Sequence, residues 1–277
     1  MRRHPAAGVG PACALVGVFL LLPLALLLRY SFNRFVPGDF MVEALTPENY
    51  AKFVHDPYFR GILGTTLAMA LGVTAACMAL GFPLAVVLSR LTSRAKPLLL
   101  LLIILPLFVG NAVRAAGWIV VFGQKGALNA GLAALGLPAA TLMYTPAAVF
   151  AGILSVNLPF VVLTLQSVLE GLDPSVREAA LGLGAGPAAA FRLVTLPLAR
   201  AGVAAAATLC FILAMNAYAT PILLGGPRFQ MMAPLVATQV LEQSNWPFGA
   251  AVAFLLMAVT LALTVVTGAV FGRRAAT

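Results

Sequence analysis

Side chains able to do chemistry are scarce in this 277-residue sequence, and none is arranged to do it. The two histidines, His4 and His55, are far apart, and neither has a neighbour at metal-ligand spacing. Cys13, Cys77 and Cys210 each sit inside an apolar run with no CxxC pair, which argues against a disulfide framework or a thiolate metal site and leaves packing as their role. No GxxxxGK[ST] loop is present to cradle nucleotide phosphates. The eight carboxylates lie outside the apolar runs proper, so the sequence has no intramembrane carboxylate relay for proton or sodium coupling, and no internal repeat is visible. Any chemistry must come from a partner.

What remains is a set of polar groups embedded in apolar surroundings. Arg114 falls at helical spacing from Gly110, Asn111, Gly117 and Trp118, which makes one polar, small-residue face. Asn157 and Thr164, seven residues apart, share a face on another run, and Asn216 and Tyr218 stand just ahead of Pro221. Asn111, Arg114, Trp118, Asn157, Asn216 and Tyr218 are therefore candidate lining of a passage. Glu242, the carboxylate of the last outer segment, is the candidate counter-charge with which Arg114 would form a latch. Each has a plainer use: Arg114 snorkelling toward lipid phosphates, Asn157 hydrogen bonding between helices, Met231 and Met232 packing.

The elements that must hold these groups are membrane spans. Hydrophobic residues make up 62% of the chain and charged residues 9%, against the quarter or so usual in soluble domains. Six spans are predicted: residues 12–28, 61–88, 97–122, 143–169, 202–220 and 248–271. The first follows a positive start but ends at Arg29-Tyr30 without a small-x-small cleavage site, so it reads as retained. A polar loop at 31–60 carries half of the carboxylates and a short helix near Thr46-Pro47-Glu48-Asn49-Tyr50. Gly64, Gly72, Gly81 and Pro83 mark the second span as one that neighbours approach closely. The fourth is expected to break at Asn157-Leu158-Pro159 and the fifth to stop at Pro221, with 228–246 extramembrane or re-entrant. The division is residues 1–60, an N-terminal span and outer loop, and 61–277, the core of a single membrane domain.

The net charge of +9 is scattered among apolar runs rather than gathered in a basic stripe, which excludes nucleic acid and gives the positive residues a topological role. With both termini inside, ten basic residues face three carboxylates on the inner side, a net +7, and seven face five on the outer, a net +2. The polar interval between the fourth and fifth spans is therefore cytoplasmic.

That interval, 173–202, reads DPSVREAALGLGAGPAAAFRLVTLPLARAG. Asp173-Pro174 is a helix start, Gly184 a residue able to take φ > 0 and end the helix, and Gly186-Pro187 the start of a second helix expected to stop near Leu196-Pro197. Glu178-Ala179-Ala180, then Gly184, then Val194, then Leu196-Pro197 resembles in every spacing the signature loop of ABC-importer permeases, with Val in place of Ile. Further stretches are similar to the spermidine/putrescine permease subfamily: Gly81-Phe82-Pro83, Leu105-Pro106 through Arg114 to Trp118, Gly126 with Asn129, Asn157-Leu158-Pro159-Phe160, Ala219-Thr220-Pro221 through Gly226-Pro227, and Asn245-Trp246-Pro247-Phe248. The sequence departs at Gly64-Thr65-Thr66-Leu67, where the family usually has Asn before Ser or Thr.

The resemblance implies an all-α type I ABC-importer permease fold with a cytoplasmic helix-turn-helix coupling loop, in a bacterial inner membrane. It implies no cofactor on this chain, ATP and Mg being bound by a partner ATPase dimer. It also implies a second, usually non-identical permease, a periplasmic or lipoprotein binding protein, and a small solute. Relatives with these motifs carry polyamines, but also thiamine, ferric iron, opines and aminoethylphosphonate.

Overall fold

The computed structural model describes residues 5–272, which are mainly helical. The order is α1 (Pro5–Ser31), a hairpin of β1 (Arg34–Val36) and β2 (Asp39–Val42), α2 (Glu48–His55), α3 (Pro57–Arg90) and α4 (Ala95–Ile104), which tightens into a 3₁₀ turn at Leu105–Phe108. Next come α5 (Asn111–Phe122), α6 (Ala127–Ala134), α7 (Pro146–Glu170), α8 (Pro174–Gly182) and α9 (Pro187–Ala190), the last leading through a π turn (Phe191–Thr195) into α10 (Leu196–Met215). The chain closes with α11 (Ala219–Gly225), α12 (Met232–Ala237), a second π turn (Thr238–Glu242) and α13 (Trp246–Gly272).

Four helices are long and apolar enough to cross a membrane: Pro57–Arg90, Pro146–Glu170, Pro187–Met215 and Trp246–Gly268. The expected third span is not one straight helix. Ala95–Phe108 and Asn111–Ala134 meet at 98°, so the apolar run is sharply bent rather than a rod over 97–122. The first expected crossing, 12–28, falls on α1, whose Leu15–Ser31 is an apolar stretch shorter than the four. Arg2, Arg3, Arg273 and Arg274, which weigh in the charge count, lie outside the described residues.

Two expected breaks are not breaks, and a third is displaced. α7 runs unbroken through Pro159, because its flanking residues Asn157, Val161 and Val162 are buried against neighbouring helices. The second helix of the 173–202 interval does not stop at Leu196-Pro197: a π turn, with Leu196 N–H donating to Phe191 O, widens the backbone where the proline ring would otherwise strike it, and the chain continues as α10. At the other end α10 stops at Met215, five residues before the expected end, and Pro221 sits in the first turn of α11, where a missing N–H costs nothing. The loop at 123–141 and the stretch 228–246 likewise contain helix (α6, α12). The hairpin at 34–42 had no counterpart in the sequence reading.

The residues group into two compact units, Met1–Gly61 with Leu235–Ala258, and Ile62–Pro234 with Val259–Thr277. In the first, Asn49 Nδ2 donates to Ser31 O at 2.8 Å and Asn33 O at 2.9 Å, and Tyr50 and Ser31 share a hydroxyl contact at 2.7 Å, which ties α2 to the end of α1. Phe59 packs edge-on to Phe248 at 4.8 Å, with Lys52 Nζ 4.7 Å from the Phe248 ring.

In the second unit, Gly72 and Gly81 face Phe150 and Val161 of α7 closely, and a Cβ on Gly202 would run into the Val168 side chain. Met231 and Met232 are fully buried packing residues, as expected. Thr66, in the segment where the resemblance departs, receives the Met232 N–H at 2.9 Å and donates to Ile62 O at 2.8 Å, so a threonine hydroxyl joins α3 to the start of α12.

Candidate functional site

The 173–197 interval is built by local rules. Asp173 accepts the Ser175 N–H at 2.9 Å and caps α8, and that hydrogen bond holds its carboxyl below the ordinary value. α8 ends in a Schellman turn: Ala185 N–H donates to Ala180 O at 3.1 Å and Gly184 N–H to Leu181 O at 3.0 Å, around Gly184 at φ +88°. This gives the sequence spacing a physical reason. The second alanine of Glu178-Ala179-Ala180 supplies the carbonyl that closes the turn, and the left-handed residue must follow four positions later.

Glu178 and Ala179 are exposed on α8, and beyond them Leu183 is 90% and Leu193 75% exposed. Val194 lies on the inner side of the π turn and lines a cavity of about 240 Å³ with Val176, Arg177 and Leu198, while Leu196 and Pro197 stay exposed. The segment thus presents a partly apolar edge, with the leucines at its corners as the residues that sequence reasoning missed. Nothing marks Leu183 in sequence except its place beside the turn glycine.

A second feature lies at the two helix breaks. A cavity of about 600 Å³ is lined by Asn111 and Arg114 of α5, Asn157 and Phe160 of α7, and Asn216, Tyr218 and Thr220 around the α10–α11 break. Five of the seven candidate pathway residues therefore converge. Trp118 is beside this group rather than on its wall: its indole N–H donates to Ser155 Oγ at 2.9 Å and its ring stacks on Phe122. Glu242 belongs to the other compact unit.

The plainer use of Asn157 is present as well, since its Nδ2 donates to Cys210 O at 3.5 Å, and Asn216 Nδ2 donates to Ile212 O at 2.9 Å. Both bonds leave the amide oxygen of each residue as an acceptor. Arg114 sits in the first turn of α5, after the bend, so the rise of a straight helix from Pro97 does not give its depth. Among the described residues the ion pairs are Arg34–Glu48 and Lys96–Glu170, and Arg114 bonds instead to backbone carbonyls. Among the described residues that line the cavity there is no carboxylate.

Asn129 has a role that its sequence gave little sign of. It is buried, its Nδ2 donates to Gly123 O, Gln124 O and Ala140 O at 3.1–3.2 Å, and its Oδ1 accepts from Ala140 N–H at 2.8 Å, which pins both ends of the α5–α7 connection to α6.

Known proteins with similar sequences and folds agree with this architecture. The chain is 34% identical over 253 residues to the spermidine/putrescine transport system permease protein PotB of Escherichia coli (strain K12), covering 91% of this chain and 89% of that one. It is 32% identical over 284 residues to the inner membrane ABC transporter permease protein YdcU of the same strain, covering 92% and 90%. A crystal structure of a bacterial alginate ABC transporter, in complex with its alginate pentasaccharide-bound periplasmic protein, has a chain that superposes with a TM-score of 0.74 at 16% identity, covering 95% of this chain and 91% of that one. The MetNI methionine ABC transporter in an inward-facing conformation gives 0.62 at 16% identity, covering 79% and 99%. The chain therefore has the type I importer permease fold. With residues 68–275 matching the family described as binding-protein-dependent transport system inner membrane component, the chain belongs to that family.

Proposed function

We propose that this chain is the permease subunit through which a polyamine, delivered by a binding protein outside the cell, crosses the inner membrane at the expense of ATP hydrolysed elsewhere. The observation that carries the solute is the 34% identity to a spermidine/putrescine permease over 91% of the chain. The cavity is compatible with it. Asn157 and Asn216 keep amide oxygens as acceptors for ammonium N–H groups, and Tyr218 and Phe160 supply aromatic faces that attract a cation.

In this reading the coupling segment, with Glu178, Ala179, Ala180 and Gly184 at α8 and its turn and Val194, Leu196 and Pro197 behind them, faces the cytoplasm and docks into a partner ATPase dimer, which binds the ATP and Mg. The charge count supports the orientation, with both termini inside. A second, non-identical permease completes the passage. Asn111, Asn157, Asn216 and Tyr218 of the cavity are proposed to contact the solute, with Arg114, Trp118 and Glu242 shaping or gating the passage around them.

The test is uptake of labelled spermidine into proteoliposomes holding the whole complex. Uptake that needs enclosed ATP and survives a protonophore supports the reading, and uptake that a protonophore abolishes in the presence of ATP contradicts it. Competition with thiamine, ferric iron or aminoethylphosphonate on the binding protein tests the solute separately.

A further inference from the structure

Arg114 lines the cavity proposed to conduct a cation, and the geometry around the bend gives it a use other than solute contact. Arg114 Nη2 donates to Val109 O at 3.1 Å and also to Pro106 O. Both carbonyls lie in the segment that ends the α4–3₁₀ run, just before the chain turns by 98° into α5. Pro106 O already accepts the Val109 N–H at 3.2 Å, so Arg114 is a second donor there; both carbonyls stand at a helix C-terminus, the negative end of its dipole, where a cationic donor is favoured.

Arg114 reaches back across the bend to supply one, from one turn inside the next helix. Its own backbone N–H is engaged with Gly110 O at 3.0 Å, which fixes the first turn of α5 from which the side chain projects. Nε and Nη1 are buried and have no hydrogen-bond partner, so among the described residues the guanidinium is held by these carbonyls and not by a carboxylate.

We infer that Arg114 is a positioning residue: it clamps the bend of the apolar run by capping the carbonyls of Pro106 and Val109, and so sets the wall that α5 gives to the 600 Å³ cavity. Its charge is spent on a helix C-terminus and does not act as a solute ligand. The inference rests on the permease reading only for what the cavity conducts; the clamp itself is read from the geometry. An arginine fits because its long side chain carries a permanent charge across the bend, where Nη2 alone meets both carbonyls.

The experiment measures the bend directly. Spin labels at Leu102 on α4 and Val120 on α5, both exposed, report the distance across it in the assembled complex in nanodiscs. Arg114→Gln is expected to broaden or shift the distance distribution, with Arg114→Lys restoring it in part because a cation still caps carbonyls. In uptake assays Arg114→Gln should lower the maximal rate by about tenfold while KM for the solute-loaded binding protein stays within about twofold, the pattern of lost positioning rather than lost solute contact. If Arg114→Gln does not insert, the Arg114→Lys distribution decides alone, and it must be broader than wild type. A distance distribution identical to wild type overturns the clamp, and so does a raised KM with an unchanged bend. The spin-label result stands whether or not the solute is a polyamine.

Discussion

Lys96 Nζ lies 2.5 Å from Glu170 Oε1 and joins the first turn of α4 to the last residue of α7, three positions before the Asp173 cap of α8. The pair links the bent apolar run to the base of the proposed docking segment, so movement of α8 has a direct path to α4. Both side chains are partly exposed, at 26% and 34%, and a pair of this kind is worth about 0–1 kcal/mol in stability. Lys96→Glu is therefore expected to leave the amount of inserted protein unchanged and to lower solute-stimulated ATP hydrolysis. The exchange Lys96→Glu with Glu170→Lys is expected to recover part of the loss. A double-mutant cycle with no coupling between the two positions contradicts a link.

The α7–α10 contact makes a packing prediction. A Cβ at Gly202 would meet the β-branched, stiff Val168, whereas one at Gly64 would meet nothing within 4 Å. Gly202→Ala is expected to destabilise the protein by about 1–3 kcal/mol, the usual cost of overpacking. Gly64→Ala is expected to leave stability unchanged or slightly raised, since Ala is the better helix former. Thermal unfolding of the two purified variants checks this, and equal midpoints contradict the contact.

Topology is tested with cysteine labels. Leu45 and Leu135, 81% and 75% exposed, are expected to react with impermeant reagents in intact cells, while Ser93 and Ala188, also exposed, are expected to react only after the membrane is opened. Asn129 is unsuitable as an outside site because its four hydrogen bonds hold the loop together. Labelling of Ala188 from outside would place α8 on the wrong face for ATP.

Asn216 is exposed at the mouth of the α10–α11 break. A cysteine there, modified by a bulky thiol reagent, is expected to block uptake, with loading of the binding protein slowing the modification. Full uptake after complete modification would remove the cavity from the path.

What was legible in the sequence was what local rules decide. Asp173, Gly184 and the apolar runs each act within one or two turns, so the start and end of α8 and the bodies of α3 and α13 follow from residue type and spacing. The prolines do not act as local rules predict. Pro159 and Pro197 remain inside helices because burial against neighbours and a π turn absorb the missing N–H, and Pro221 starts a helix instead of ending one. The 98° bend stayed hidden because Leu105 to Gly110 is as apolar as its surroundings, and the turn shows only in where the carbonyls of Pro106 and Val109 find a donor. The cavity residues were individually visible as polar groups in apolar runs. Their convergence depends on helix packing that no local pattern encodes.

The central claim is that α8 and its turn are where ATP-driven motion enters this chain. Gly184 tests it cleanly, because a Cβ there meets nothing within 4 Å and only its backbone conformation, φ +88°, resists a side chain. A β-branched residue is strongly disfavoured in that region, whereas asparagine tolerates it. The decisive measurement is solute-stimulated ATP hydrolysis of the assembled complex, taken together with uptake, for Gly184→Val and Gly184→Asn. The account predicts that Gly184→Val inserts normally and loses both activities together, while Gly184→Asn keeps most of each; full hydrolysis and uptake in Gly184→Val would contradict it.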